Sequence, residues 1–156
     1  MNQDFSHISK NGYIKEKLNL ENCWIEAVEA QNWQTLDQLC FQMLKNGDLR
    51  KRLSKIVNIS QVEHILSLRE EPDEEGIWHD DGSRKLAFSV SLNLVPQSIT
   101  GGQLEMRPMN SKENITTLEN LEFGEYYIFA TGQNHWQHRT KAVRSGKRLV
   151  FAGWCT

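Results

Sequence analysis

The residues with the clearest chemical potential are a histidine and an aspartate separated by one position, in the run His79-Asp80-Asp81. On an extended chain, alternate residues project from the same face, so His79 and Asp81 can converge on one metal ion while Asp80 points away. An imidazole and a carboxylate, completed by a second imidazole from elsewhere, form a facial triad that leaves three positions open on Fe(II). The motif therefore predicts a metal site suited to oxygen chemistry.

A candidate for the second imidazole lies near the end of the chain. His138 is followed ten positions later by Arg148, and Ser145-Gly146 between them can turn the arginine strand back beside the histidine strand. His135, three residues before His138, is the rival third ligand. Its tenth following residue is Ser145, which cannot pair with a carboxylate, so His135 is interpreted as a loop residue.

A strand-like segment, residues 86–93, has two faces of different character. Its large apolar residues share one face, because successive side chains of a strand alternate between faces. The other face is small and polar, and it consists of Ala87, Ser89, Ser91 and Asn93. Such a face either meets solvent or lines a cavity that holds a polar ligand.

The elements before these motifs are predicted to be helical, from residue 13 to about residue 53. Apolar residues at three- and four-residue spacings from Trp33 onward indicate an amphipathic helix that ends at Asn46-Gly47. An earlier helix is indicated around Trp24, and Asn32 is a possible N-cap between the two helices.

The rest of the chain is predicted as short strands separated by Gly, Pro, Asn or Ser, a pattern typical of an antiparallel sandwich or barrel. The predicted strands are residues 55–59, 62–69, 86–93, 102–106, 126–130, 140–143 and 148–154. A chain of 156 residues fits one domain, so we expect a single domain over residues 1–156, helical to about residue 53 and β-rich from about residue 55.

Composition excludes several classes of partner. A formal net charge of -2 gives no basic field that would attract nucleic acid or an anionic membrane. No apolar run approaches the ~18 residues needed to span a bilayer, and the first residues do not resemble a signal peptide, so a cytoplasmic location is expected. The three cysteines fit neither a disulfide framework nor a metal-binding pair, and we expect them to be reduced.

In combination, these motifs resemble the 2-oxoglutarate/iron(II) oxygenases, and within them the prolyl-hydroxylase-like subgroup. The resemblance covers about residues 62–154 and implies a mainly β fold with N-terminal helices, its core a double-stranded β-helix of the jelly-roll or cupin-like type. The motifs that carry it, in the family's order, are His79-Asp80-Asp81, Ser91-Leu92-Asn93, Gly101-Gly102-Gln103-Leu104, His138 and Arg148.

The resemblance also implies a role for each matching residue. His79, Asp81 and His138 would bind Fe(II). Arg148 would pair with the distal carboxylate of 2-oxoglutarate, because its planar fork matches a carboxylate with two hydrogen bonds. Ser91 would give that carboxylate a hydroxyl. Val150 stands where many members carry a serine that supports the arginine, so Ser91, Ser89 or Thr140 would have to substitute.

The activity implied is a dioxygenase reaction that uses O2 and 2-oxoglutarate, releases succinate and CO2, and hydroxylates an unactivated C–H of a peptide or protein side chain or of a small molecule. The alternatives are a cupin-like metal-binding protein and a catalytically degenerate ligand-binding domain. Arg148 argues against the first, which needs no anchor for a dicarboxylate, and the intact triad argues against the second. Trp78, beside His79, either walls the pocket or packs.

The acidic segment of residues 69–76, which leads into the metal motif, is open to two interpretations. Its carboxylates could favour a basic substrate, or the segment could be a solvated turn.

Overall fold

Helices occupy the N-terminal part of the computed structural model, which describes residues 2–156. They are α1 (Gln3–Asn11), α2 (Asn22–Glu29), α3 (Trp33–Lys45) and α4 (Asp48–Ile56). The two predicted helices, α2 and α3, are confirmed. The predicted N-cap is also confirmed, because the Asn32 side chain accepts a hydrogen bond from Thr35 N–H at 3.1 Å. Asn46 is the C-cap of α3, as its Asn-Gly stop signal predicted.

Three sequence-based assignments are wrong. Residues 140–143 were predicted as one strand, but one strand ends at Thr140 and another begins at Val143, with Lys141 and Ala142 in neither. Residues 55–59 were predicted as a strand, but α4 continues to Ile56, because Leu49, Leu53 and Ile56 recur at helical spacing and all three are buried. Residues 13–17 were predicted as helix, but Tyr13–Lys17 forms strand β1. That strand pairs along its whole length with a later strand, and this pairing overrides the local preference of the segment.

The remaining strands follow the helices and form antiparallel sheets. They are β2 (Val62–Glu70), β3 (Leu86–Ser91), β4 (Thr100–Gly101), β5 (Leu104–Pro108), β6 (Thr116–Leu118), β7 (Glu125–Ala130), β8 (Trp136–Thr140), β9 (Val143–Ser145) and β10 (Lys147–Cys155). The larger sheet has the order β1-β7-β3-β10-β2, and the smaller ones are β6-β5-β8 and β4-β9. This architecture confirms the predicted mainly β fold with N-terminal helices and a jelly-roll core.

The register of the larger sheet brings the motif residues of three strands together. β3 lies between β7 and β10, and Ser91 is paired with Val150. β10 also pairs with β2, which places Arg148 opposite Arg69. A cavity between the larger sheet and strands β5 and β8 of the smaller one is lined by side chains from all of these elements.

The helices pack on the larger sheet and share its hydrophobic core. Trp24 of α2 stacks on Phe151 of β10, with ring centroids 6.3 Å apart, and Phe151 in turn meets Phe88 edge-on at 5.4 Å. The three cysteines are free, and Cys40 and Cys155 are fully buried in this core. Within residues 2–156, the longest apolar helical stretch falls short of what a membrane crossing requires.

Candidate active site

The two histidines of the predicted triad face each other across a short antiparallel bridge. His79 N–H donates to the carbonyl of His138 at 3.1 Å, and His138 N–H donates to the carbonyl of His79 at 2.9 Å. The chain leaves the extended conformation two residues later, because Asp81 has a φ of 59°. The simple two-residue alternation used to predict the motif is therefore wrong in detail, although Asp81 does reach the two histidines.

The three side chains present their donor atoms to one point. Asp81 Oδ1 lies 3.5 Å from His79 Nε2, and Asp81 Oδ2 lies 3.3 Å from His138 Nε2. All three donors lie within 4.8 Å of one another. Donors that bind an octahedral ion at ~2.1 Å and at right angles lie about 3 Å apart, so the observed spacing fits one divalent ion.

The Nε2 atoms of both imidazoles are able to offer a lone pair to a metal ion. His79 Nδ1 is 2.7 Å from the carbonyl of Ile77, which fixes its proton there and leaves Nε2 as a lone-pair donor. Burial, with the neighbouring His79 second, lowers the pKa of His138 to about 3, so that imidazole is neutral. Its Nδ1 is buried and has no hydrogen-bond partner among residues 2–156. Burial raises the pKa of Asp81, as expected for a carboxyl in a site that a cation would complete.

Asp81 is oriented by a residue that the sequence reasoning missed. Trp154 donates its indole N–H to Asp81 Oδ2 at 2.8 Å. The guanidinium of Arg84 lies 5.7 Å from the Trp154 ring centroid and pairs with Glu63 at 2.9 Å. Trp154 comes six residues after Arg148 on the same strand, but no sequence signal predicts that its side chain reaches the metal motif.

A cavity of about 140 Å³ runs from His79 and His138 at one end to Arg148 at the other. Arg148 is only 8% exposed, and within the described chain its guanidinium has no hydrogen bond or ion pair. Burial, with Arg69 second, lowers the pKa of Arg148 to about 10, so it is still a cation at neutral pH. The Asp73 carboxylate acts on this cation only from beyond ion-pair distance, so the burial is costly and the free N–H donors suit a ligand carboxylate.

Glycine and asparagine residues of the motif hold Arg148 in place. Gly101 and Gly102 both have positive φ, and a Cβ on Gly101 would lie 2.1 Å from the carbonyl oxygen of Ala142. Asn93, whose role the sequence did not reveal, accepts a hydrogen bond from Leu149 N–H at 2.7 Å. These contacts explain why the Gly-Gly and Leu-Asn segments accompany the arginine.

The hydroxyl groups near Arg148 differ in their availability. Ser91 lies in a small annex of about 20 Å³ beside Arg148, and its hydroxyl donates to the carbonyl of Leu121 at 2.8 Å. Its assignment as a carboxylate partner stays a prediction. Ser67, Ser89 and Thr140 line the main cavity, and no hydrogen bond to their hydroxyls is formed by the residues described. Ser67 was missed, although it shares a strand face with Arg69.

Several other sequence features lie outside the cavity. His135 has a left-handed φ of 60° at the end of a 3-10 turn and is exposed, away from the three donors. In the acidic segment, Asp73 accepts a hydrogen bond from Val143 N–H at 2.7 Å and Glu75 accepts one from Ala142 N–H at 2.8 Å. The hydrogen bond from Ala142 lowers the pKa of Glu75. These two carboxylates therefore fasten the loop to the chain after β8.

Residues 65–156 match the family model of the 2OG-Fe(II) oxygenase superfamily. The chain belongs to this superfamily. Among curated protein sequences, none is similar enough to the chain to count as a match.

Solved structures share the fold. A prolyl-4-hydroxylase of Pseudomonas putida has 19% identity and a TM-score of 0.70, over 97% of this chain and 92% of that one. A prolyl hydroxylase of Trichoplax adhaerens, in complex with a peptide fragment of hypoxia inducible factor, has 13% identity and a TM-score of 0.72 over 99% and 87%. The epimerase SnoN of nogalamycin biosynthesis has 10% identity and a TM-score of 0.66 over 97% and 82%.

Family membership and the geometry of the cavity define the class of chemistry. The protein is a 2-oxoglutarate-dependent dioxygenase, and its cofactors are Fe(II), 2-oxoglutarate and O2. The prolyl-hydroxylase-like resemblance is confirmed by the structural neighbours. Among those neighbours is an epimerase, so the fold does not by itself select hydroxylation.

Proposed function

We propose that His79, Asp81 and His138 hold the iron and that Arg148 binds the 2-oxoglutarate carboxylate farther from the metal. The observation that carries this proposal is the buried, unpaired guanidinium of Arg148 in the same cavity as the three donors. When bound, iron and 2-oxoglutarate supply the oxidising power, because O2 converts 2-oxoglutarate to succinate and CO2 and oxidises the substrate. The protein's own task is to bind and orient these groups.

Each residue has a defined part in that task. His79 and His138 offer nitrogen lone pairs, and Asp81 offers the negative charge that offsets part of the charge of a divalent ion. Arg148 would hold the far carboxylate of 2-oxoglutarate through its guanidinium, which would leave the 2-oxo acid end of the cosubstrate for the triad. Phe129, edge-on to His138 at 5.0 Å, covers the buried side of the metal site, at His138.

We further propose that the substrate presents a C–H of a peptide or protein side chain, or of a small molecule, for hydroxylation. The His79 side chain is 52% exposed whereas the Arg148 end is buried, so the substrate enters at the metal end. Exposed Ile65 and Ile77 lie beside this entrance, Ile65 in the cavity wall and Ile77 two residues before His79. The peptide complex of the Trichoplax adhaerens enzyme supports a peptide substrate for this class of cavity.

The test is an anaerobic titration of the metal-free protein with Fe(II) and 2-oxoglutarate, in which the visible charge-transfer band of the chelate is followed. We expect the band in the wild type and its loss, with succinate formed, when oxygen is admitted. His79→Ala and Asp81→Ala should abolish the band. Arg148→Ala should weaken 2-oxoglutarate binding by at least about tenfold, since hydrogen bonds to charged groups contribute about 1.5–3 kcal/mol.

Arg144→Ala is the matched control, because Arg144 is an exposed arginine four residues before Arg148. It should leave 2-oxoglutarate affinity unchanged. Equal affinity in the Arg148 and Arg144 variants would overturn the cosubstrate assignment. A folded, iron-loaded wild type that forms no band would overturn the metal assignment.

A further inference from the structure

The segment that carries His79 is joined to β8 by few backbone contacts. Beyond the His79–His138 bridge, the only other backbone hydrogen bond that joins the described residues 76–79 to β8 runs from Gly76 N–H to the carbonyl of Thr140, at 2.8 Å. Ile77 and Trp78 lie between these points, and Ile77 is 83% exposed. The distance between the two histidine ligands therefore depends on what holds this short segment against the sheet.

The side chain of Trp78 lies on the opposite side of the bridge from the metal donors. Adjacent residues of an extended segment alternate in direction, so Trp78 faces away from His79, just as Arg139 faces away from His138. Trp78 is absent from the residues that line the cavity, within the part of the chain the structure describes. Trp78 is therefore not a wall of this cavity.

Two arginines of the smaller sheet hold the Trp78 ring. The guanidinium of Arg107 on β5 is 4.1 Å from the ring centroid, and that of Arg139 on β8 is 4.8 Å away. Arg139 donates to buried Glu105 at 2.7 Å, and Arg107 donates to Gln137 at 3.0 Å. Glu105 and Gln137 are the cross-strand neighbours of these arginines in the β5–β8 ladder. Both guanidinium groups are therefore held in place independently of their contact with the indole.

We infer that Trp78 is a positioning residue for the metal centre, and that its stack with Arg107 and Arg139 sets the separation of His79 from His138. The inference rests on the proposed function, because it takes both histidines as ligands. The stack attaches the segment that carries His79 to β8, the strand that carries His138. Without the aromatic face, the segment is still held by the backbone hydrogen bonds of Gly76 and His79 and by the carboxylates of Asp73 and Glu75. The side-chain contact nearest to His79 is lost, and the metal site loosens without any ligand being removed.

The test is Mn(II) binding to the full chain, measured by the free Mn(II) electron paramagnetic resonance signal, with melting temperature measured in parallel. We expect Trp78→Leu, which keeps apolar volume and loses the ring, to weaken Mn(II) binding by about tenfold, the lower range for groups that orient ligands. Trp78→Phe keeps a ring face and should restore most of the affinity. Trp33→Leu, the same exchange at a position that is 41% exposed, should bind Mn(II) as the wild type does.

A second variant separates positioning from simple packing. Arg107→Gln removes one cation of the stack, and combined with Trp78→Leu it should weaken Mn(II) binding no further than Trp78→Leu alone. Mn(II) affinity equal to wild type in folded Trp78→Leu, or additive losses in the double variant, would overturn the inference. If Trp78→Leu does not fold, an unchanged affinity in Arg107→Gln overturns it. Absence of Mn(II) binding in the wild type instead overturns the proposed metal site.

Discussion

Gly102 leaves the space in which the aliphatic part of the Arg148 side chain lies. A Cβ on Gly102 would lie 2.8 Å from Arg148 Cδ and 3.1 Å from Val143 Cγ2. Gly102→Ala should therefore displace the guanidinium and weaken 2-oxoglutarate binding by about tenfold, or about 1.4 kcal/mol. The measurement is a calorimetric titration of the Mn(II)-loaded protein with 2-oxoglutarate.

The control for this variant is Gly82→Ala. Gly82 has a φ of 62°, close to the 72° of Gly102, but a Cβ there would meet nothing within 4 Å. Both substitutions place alanine in a left-handed conformation, at a cost of about 1 kcal/mol. Only Gly102→Ala should alter cosubstrate affinity, and the same loss in both variants would contradict a steric role for Gly102.

The indole N–H of Trp154 supports Asp81 by one hydrogen bond of 2.8 Å. Trp154→Phe keeps the ring and removes this donor, so we expect metal binding to weaken by about 10- to 100-fold, the usual effect of losing a group that orients a ligand. Mn(II) titration of the variant measures this loss. Trp33→Phe, at a position that is 41% exposed, serves as control, and equal affinities in the two variants would show that Asp81 needs no such support.

At the scale of elements, the sequence predicted those whose pattern is local. Helix α3 buries Leu36, Cys40 and Leu44 at four-residue spacings, and this periodicity is visible in the sequence alone. Strand β1 has no such signal, because its residues alternate only weakly in burial. It is a strand because it pairs with β7, a contact across more than 100 residues that no local pattern contains.

The candidate site likewise contains residues that the sequence predicted and residues that it did not. The meeting of His79, Asp81 and His138, in a cavity that Arg148 also lines, could be predicted because the proposed metal and carboxylate binding constrains both residue type and spacing. The groups that hold them could not, since Trp154 reaches Asp81 and Trp78 reaches two arginines only after the sheets have packed.

Four N-terminal and core elements meet at Arg52 of α4. Its guanidinium donates to Asp4 of α1 at 2.8 Å and to Glu16 of β1 at 2.9 Å, and Glu16 also accepts from the hydroxyl of Tyr126 on β7 at 2.7 Å. The hydrogen bond from Arg52 lowers the pKa of Glu16 below its ordinary value of 4.5. Because the folded state favours the carboxylate, its contribution to stability is present above pH 4.5 and is lost as the pH falls through the lowered pKa.

Glu16→Gln should therefore destabilise the protein by roughly 0.5–1 kcal/mol at neutral pH, since these side chains are partly solvated, and flatten the loss of stability on acidification. Urea unfolding at pH 7 and at about pH 4 measures both effects. Glu26→Gln, on the exposed face of α2, is the control and should change neither. A pH dependence identical to wild type in Glu16→Gln would contradict this assignment.

In the whole molecule, the cavity between the two sheets contains a residue, Arg148, that suits ligand binding but destabilises the ligand-free protein. Arg148 is buried and forms no hydrogen bond or ion pair within the described chain, and burial lowers its pKa to about 10. The ligand-free fold therefore carries a cation that Asp73 offsets only in part, from beyond ion-pair distance. Arg148→Met keeps most of the volume and removes the charge. We expect it to stabilise the ligand-free protein by about 1 kcal/mol or more, as apolar replacement of buried charged groups often does.

With 2-oxoglutarate bound, the order of stability of wild type and Arg148→Met should be reversed. Mn(II) with 2-oxoglutarate at 100 times its dissociation constant should stabilise the wild type by about 2.7 kcal/mol beyond Mn(II) alone. Arg148→Met should gain almost nothing from 2-oxoglutarate, so wild type becomes the more stable of the two. Thermal unfolding with and without 2-oxoglutarate checks this reversal, with exposed Arg144→Met expected to follow the wild type in both conditions. A ligand-free Arg148→Met protein less stable than the wild type would mean that the arginine stem stabilises the cavity more than its unpaired charge destabilises it.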